Sequence, residues 1–314
     1  MKAIAINSYG GADELHAIET TKPTPAPHNL IVKLAATSIN PIDWKIREGY
    51  LQTILRWDFP IVLGFDLAGT VTEIGAGVTA WKLGDRVAAR RAATAQGTYA
   101  EYVEVAESDI ARIPDEVSFK EAAATPLAGL TAWQALHDFS SIQPGQRILI
   151  HAGAGGVGSF AIQFAKLAGA YVITTARQQN ADLLSKLGAD EVIDYEHVDF
   201  STQVTNVDIV IDAVGGETQR KSLLVFGEPG PRTMLVLGSI EPDTHSYAET
   251  HNIKLQPVNM SPNAEQLATI FELIRTKKVT VTIAETLAFS EKGLRQAHQR
   301  SQTGHSPGKI VITF

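Results

Sequence analysis

Over residues 1–120, apolar positions recur in short alternating runs. Residues 2–7, 29–36, 67–74, 86–89 and 99–105 each read as a strand, and the run at 29–36 is expected to stop at the polar pair Thr37 and Ser38. A Gly75-Ala76-Gly77 turn and prolines 23, 25 and 27 fill gaps between runs. Period-two alternation punctuated by glycine and proline predicts a β-rich, barrel-like lobe.

The texture changes after Pro114. Residues 119–124 and 131–139 favour helix. From 147, strand and helix alternate: RILIHA (147–152), SFAIQFAKL (159–167), YVITTA (171–176) and ADLLSKLG (181–188), followed by EVID, VDIVIDAV and TMLVLGS. Such alternation predicts βαβ units and a parallel sheet. A helix at 265–277, a strand-like run at 279–289, a helix near 291–300 and a last strand, KIVITF, end the chain. On pattern alone KIVITF fits either lobe.

The length of 314 residues suits two domains, and 44% hydrophobic with 19% charged residues marks a globular chain. A net charge of −7 gives no global attraction for nucleic acid or an anionic membrane. Cysteine is absent, which removes disulfides, a cysteine nucleophile, iron–sulfur clusters and thiolate zinc sites. No apolar run reaches the length of a membrane span or a secretory signal core, so a cytoplasmic location is expected.

Gly153-Ala154-Gly155-Gly156-Val157-Gly158 is the strongest local signal. It satisfies G-x-G-x-x-G between a strand expected to end at Ala152 and a helix expected to begin near Ser159. Gly153 is expected to turn the chain, Gly155 to admit a pyrophosphate to the backbone, and Gly158 to seat the helix on the strand. The helix N-terminus then favours the phosphate. An NAD site usually has a carboxylate at the end of the second strand. Here that strand ends Thr175-Ala176-Arg177, and a guanidinium suits a 2′-phosphate. NADPH is therefore the expected cofactor. The nine histidines are dispersed, with no H-E-x-x-H or similar pair, and no G-x-S-x-G elbow is present. His151 is expected to be a satisfied core histidine. Hydride transfer, in which the cofactor supplies the chemistry, is the economical reading.

Several segments, in order and spanning nearly the whole chain, resemble one family. They are NPIDWK (40–45), GFDLAG (64–69), GDRV (84–87), PLAGLTAW (126–133), the glycine turn, and Gly304-His305 with Gly308-Lys309. Together they resemble the medium-chain dehydrogenase/reductase superfamily in its zinc-free quinone oxidoreductase-like branch. Zinc-dependent relatives carry a cysteine ligand where this chain has Asn40 and a histidine ligand where it has Phe65. The resemblance implies an α/β fold: a Rossmann doubly wound parallel sheet (123–263) plus a β-rich GroES-like catalytic domain (1–122 and 264–314), with KIVITF in the latter.

It also implies reduction of a small-molecule electrophile, a quinone or α,β-unsaturated carbonyl, by NADPH and without metal. Lys45 is the candidate for electrostatic help at the acceptor oxygen, on a loop that Asn40 and Asp43 shape. Lysine at this position tilts the expectation toward enones alongside quinones. Thr131 resembles the family threonine beside the nicotinamide, Tyr195 the tyrosine near the 2′-phosphate, and Lys309 the lysine that reaches the cofactor from the other domain. Asn180 stands where some members have a phosphate-binding lysine, and Arg177 is the candidate to compensate. Val214, Gly215, Leu237, Gly238 and Ser239 follow strands and join the cofactor set. Tyr50, Trp57 and Phe59 are candidate walls of an acceptor pocket expected between the domains. A homodimer is expected, with 251–258 as a candidate edge strand. The competing readings are a non-catalytic NADPH-binding sensor or structural protein on the same fold, and a zinc-free reductase of another activated carbonyl.

Overall fold

The computed structural model describes residues 1–228, 230 and 232–314. Strands β1 (Lys2–Ile6), β2 (His16–Glu19) and β3 (Asn29–Ile39) lead into helices α1 (Pro41–Arg47) and α2 (Gln52–Leu55). Strands β4 (Ile61–Val62), β5 (Asp66–Ile74), β6 (Arg86–Arg90), β7 (Tyr102–Ala106) and β8 (Ile110–Arg112) follow, then helices α3 (Phe119–Ala124) and α4 (Pro126–Gln134). The alternating stretch comprises β9 (Arg147–Ile150), α5 (Gly156–Leu167), β10 (Tyr171–Ala176), α6 (Ala181–Leu187), β11 (Glu191–Asp194), β12 (Ile209–Asp212), α7 (Gly216–Ser222), β13 (Thr233–Val236), α8 (Pro242–Thr250) and β14 (Lys254–Pro257). Helix α9 (Ala264–Arg275), β15 (Ile283–Ala288), α10 (Glu291–Gln302) and β16 (Lys309–Thr313) close the chain. The backbone divides into two compact units, Met1–Leu130 with Pro262–Phe314, and Thr131–Ser261.

In the first unit one sheet runs β15-β16-β3-β5-β6-β8, with β7 also on β3, and a smaller sheet runs β2-β1-β4. This is the β-rich GroES-like fold. KIVITF, as β16, pairs antiparallel with β3 and so lies in this unit. Ile4, Leu30, Val32, Leu67, Val87, Val103, Ile310 and Ile312 belong to its core. β3 continues past its expected end at Thr37 and Ser38. Both are fully buried; the Thr37 hydroxyl donates to the Asp66 carbonyl at 2.6 Å and the Ser38 hydroxyl to Asp66 Oδ2 at 2.5 Å. A buried hydroxyl with a partner does not end a strand.

The second unit is a parallel sheet in the order β11-β10-β9-β12-β13-β14. Counted from β9 this is the doubly wound order 3-2-1-4-5-6, which reverses between β9 and β12. β12 is buried throughout and β9 beyond its first residue, so these strands carry continuous apolar runs rather than alternation. β14, within the expected edge run at 251–258, lies at one margin and pairs with β13. Among the described residues no helix is long and apolar enough to cross a membrane.

Candidate functional site

The sheet reversal puts the loops after β9 and β12 side by side, where an open parallel sheet receives its ligand. After β9 the tight turn falls on Ala152, whose φ is +54°, rather than on Gly153. Gly153 answers a different need. A Cβ there would lie 2.0 Å from Thr174 Oγ1, which is held by the Ile150 carbonyl at 2.7 Å. A Cβ on Gly158 would lie 2.5 Å from the Ala152 carbonyl oxygen, so this glycine seats α5 against the strand end. Gly155 differs from both: its nearest obstacle is the Ala152 oxygen at 3.2 Å.

Helix α5 begins at Gly156 with Gly155 as N-cap, three residues before the expected start. Gly156, Val157 and Gly158 therefore form its first turn, where N–H groups lack intrahelical acceptors and carry partial positive charge. Ser159 makes the first helical bond, to the Gly155 carbonyl at 3.0 Å.

The β12 end is held by Asp212, buried at the strand terminus. Its Oδ1 accepts the Val214 and Gly215 N–H groups at 2.9 Å, and its Oδ2 accepts Gln219 Nε2 at 2.9 Å. Gln219 also donates to the Ser239 carbonyl at 3.1 Å and accepts the Glu241 N–H at 2.9 Å. One buried amide thus ties the loop carrying Val214 and Gly215 to that carrying Leu237, Gly238 and Ser239. A Cβ at Gly215 or Gly238 would meet nothing within 4 Å. The carboxyl end of the sheet is open where the loops lack side chains, which fits a dinucleotide lying against backbone. His151 below it is a satisfied core group, with Nδ1 3.0 Å from Thr175 Oγ1 and Nε2 2.8 Å from Ser222 Oγ. Burial lowers its pKa to about 4.

At the end of β10, Ala176 is buried and Arg177 half-buried. The Tyr195 N–H reaches the Ala176 carbonyl at 3.3 Å, which brings the exposed Tyr195 beside Arg177. Asn180 opens α6 two residues past Gln178. Glu196, which no local pattern in the sequence marks, places its Oε1 2.8 Å from Arg177 Nε. Thr131 is buried on α4.

The first unit presents a second candidate region, built from side chains. Residues 40–45, expected as a loop, open helix α1. Asn40 is the N-cap, Pro41 the first helical residue, and Asp43 Oδ2 accepts the Asn40 N–H at 2.7 Å. Asn40 Nδ2 donates to Asp66 Oδ2 at 2.8 Å, and the Leu127 N–H donates to Asp66 Oδ1 at 2.7 Å. Lys309, the candidate to reach the cofactor, is buried in this unit. Its ammonium donates to the Ile39 carbonyl at 2.9 Å and to Asn40 Oδ1, and lies 3.4 Å from Asp66 Oδ2. Those partners anchor it within the unit. Burial pulls its pKa down, against the opposing effect of Asp66 and Asp43.

Asp43 is fully buried and its Oδ1 has no hydrogen-bond partner among the described residues. Desolvation raises its pKa to about 7, reinforced by Asp66 and resisted by the Asn40 N–H. A second buried chain lies in the same unit. Arg47 NH1 is 3.1 Å from His298 Nδ1, and His298 Nε2 is 3.0 Å from the Tyr99 hydroxyl. An arginine keeps its protons, so it donates to Nδ1 and the imidazole hydrogen faces Tyr99. Burial lowers the His298 pKa to about 3.

Lys45 is exposed on α1, with Nζ 5.7 Å from the Trp44 ring centre. Tyr50 meets Trp44 edge-on at 6.2 Å, Phe59 meets Tyr9 edge-on at 5.0 Å, and Trp57 packs partly on the core. Among the described residues no ring contact joins Tyr50, Trp57 and Phe59 to one another. Among them, too, no cluster of three histidine, aspartate or glutamate side chains stands ready for a metal.

Comparison with known proteins accords with this geometry. The alcohol dehydrogenase GroES-like domain family matches residues 26–115, and the zinc-binding dehydrogenase family matches 187–312. The chloroplast envelope quinone oxidoreductase homolog of Arabidopsis thaliana is 34% identical, over 99% of this chain and 98% of its own. The quinone oxidoreductase structure from Coxiella burnetii is 35% identical with a TM-score of 0.94, over 100% of this chain and 99% of its own. The Escherichia coli quinone oxidoreductase, solved with NADPH, is 29% identical with a TM-score of 0.89 over all of both chains.

The expected cytoplasmic location is corrected by these relatives. The Arabidopsis protein is named for the chloroplast envelope, and a Bos taurus NAD(P)H oxidoreductase, 30% identical over 99% of this chain and 89% of its own, is named mitochondrial. Compartment is set by address segments rather than by the packed fold, so the lack of a secretory or membrane-spanning apolar run is a poor guide to it. Fold, glycine turn and relatives converge: the chain belongs to the medium-chain dehydrogenase/reductase superfamily, in its zinc-independent, quinone oxidoreductase-like branch.

Proposed function

We propose that this protein transfers hydride from NADPH to a quinone or an α,β-unsaturated carbonyl without a metal. The observation that carries the reading is the contrast among the three glycines. A Cβ at Gly153 or Gly158 would clash outright with its neighbours, whereas one at Gly155, beside the first turn of α5, would meet only the Ala152 carbonyl oxygen, at 3.2 Å. That combination admits a pyrophosphate to backbone N–H groups. The relatives named quinone oxidoreductases, one of them holding NADPH, support the same reading.

Bound NADPH supplies the hydride. The chain's own residues place and polarise. The first turn of α5 holds the pyrophosphate, Arg177 and Tyr195 meet the adenosine ribose, and the open loops at Gly215 and Gly238 take the rest of the dinucleotide. A conjugated acceptor spreads incoming charge onto oxygen, where the Lys45 ammonium offers an electrostatic partner and donor. Asn40, Asp43, Asp66 and Lys309 fix the helix that carries Lys45.

The test follows NADPH absorbance with a panel of quinones, alkenals and enones, with a chelator control. Chelator-resistant oxidation is the expected result. Tight NADPH binding with no oxidation across the panel overturns the reductase reading in favour of a dinucleotide-binding protein.

A further inference from the structure

Two opposite charges meet where the adenosine ribose is expected. Arg177 follows β10, and Glu196 follows β11, the strand paired with β10 in parallel register from Ile173↔Glu191 to Ala176↔Asp194. The Tyr195 N–H ties that second loop to the β10 end at Ala176. Position 177 offers a cation that favours a 2′-phosphate. Position 196 restores, from the neighbouring strand, the carboxylate that an NAD site takes from its second strand.

Glu196 is the acid that faces Arg177. Asp194 Oδ2 is engaged by His197 Nδ1 at 2.6 Å, whereas Glu196 Oε1 approaches Arg177 Nε at 2.8 Å. The Arg177 Nε–H is not aligned for a hydrogen bond in this contact, so the pair is held by charge alone. Both side chains are partly exposed, at 31% and 43%. Such a pair is weak and yields to a better-aligned partner.

We propose that Glu196 is a specificity-determining residue: by pairing with Arg177 and offering an acceptor to a ribose 2′-hydroxyl, it lowers the preference for NADPH and makes the site competent for NADH as well. This rests on the cofactor reading above. A 2′-phosphate must draw Arg177 away from Glu196 and tolerate a nearby carboxylate. A 2′-hydroxyl gains an acceptor instead.

Glu196→Gln separates these effects while keeping size and polarity. Dissociation constants for NADPH and NADH are measured by fluorescence titration, without acceptor, for the native protein, Glu196→Gln, Arg177→Ala and the double variant. Glu196→Gln should tighten NADPH and weaken NADH, each roughly twofold to fivefold. In the Arg177→Ala background the gain in NADPH affinity should shrink. A ratio of the two constants unchanged by Glu196→Gln overturns the proposal, as does an undiminished gain in the double variant. A native protein that binds neither dinucleotide overturns the cofactor reading itself, and the proposal with it.

Discussion

The glycine turn of the second unit and the buried polar cluster of the first make their sites by opposite means. Around Gly153, Gly155 and Gly158 the site is made by what is missing, since each position works because no Cβ is there. Around Asp66 it is made by what is present. Ser38, Asn40, Leu127 and Lys309 converge on one carboxylate that is fully buried. Adding an atom should damage the first region, and removing one should damage the second.

The largest effect is expected from Asp66→Ala. It strands a buried ammonium and leaves three further donors without their acceptor. Breaking a buried pair from one side costs about 3–5 kcal/mol. Urea denaturation followed by tryptophan fluorescence reads it well, because Trp44, Trp57 and Trp81 lie in the first unit and Trp133 in the second. A loss below about 1 kcal/mol, the scale of an exposed pair, breaks the contrast between the regions.

Titration sharpens the contrast next. His151 has its pKa lowered to about 4, below the ordinary 6.5, so the unfolded chain binds a proton that the folded chain refuses. Stability contributed by neutral His151 is complete above pH 6.5 and is lost as pH falls toward 4, by about 3 kcal/mol at the end of that window. His298, lowered to about 3, acts with the same sign. Asp43, raised to about 7, acts with the opposite sign: its contribution is complete below about 4 and is lost as pH rises through 7. Between pH 4 and 6.5 the two groups of the first unit oppose each other, while in the second His151 acts with His137, lowered by burial, and against His197, raised by Asp194. His151→Gln should therefore flatten the fall in stability between pH 6.5 and 5. A variant with the native slope refutes the assignment.

The two regions also differed in legibility. The glycine turn occupies six consecutive residues, and its strand–turn–helix setting could be read locally. Even there Ala152, not Gly153, makes the left-handed turn, because a phase error of one residue leaves the motif unchanged. The polar cluster joins Asn40 to Asp66 across 26 positions and to Lys309 across 269, distances at which no periodicity speaks. Thr37 and Ser38 looked like a strand's end because their acceptor, Asp66, lies on the next strand of the sheet. Helix α1 did announce itself, through Asn40, Pro41 and Asp43 in N-cap, N1 and N3 positions, a capping pattern that the loop reading overlooked. Glu196 was not legible, because an NAD-type carboxylate stands at the end of the second strand, here β10, whereas the acid beside Arg177 arrives after β11.

Within the glycine turn a pair of variants divides structure from binding. Gly158→Ala sets a Cβ 2.5 Å from a carbonyl oxygen and should cost about 1–3 kcal/mol, the range for overpacking. Gly155→Ala makes a single tight contact, with a backbone oxygen at 3.2 Å, and should cost less stability than Gly158→Ala. Its cost should fall on NADPH, roughly tenfold in dissociation constant, equivalent to about 1.4 kcal/mol. Equal losses of stability in the two variants mean that Gly155 is only a packing glycine.

The smallest change in stability is expected at Lys45, and it bears on the proposed chemistry. The side chain is exposed on α1, with Nζ 5.7 Å from the centre of the Trp44 ring. Lys45→Met should alter stability by less than about 0.5 kcal/mol, as surface substitutions do. NADPH affinity should stay at the native value, because the glycine turn belongs to the other unit. Turnover on an enone should nonetheless fall, since the variant keeps the stem and deletes the charge offered to the acceptor oxygen. Charge loss alone predicts a fall in kcat that Lys45→Arg partly restores. Native turnover in Lys45→Met, with native stability, makes Lys45 an ordinary solvent-facing residue of α1 and leaves Asn40, Asp43 and Lys309 as a scaffold for some other group.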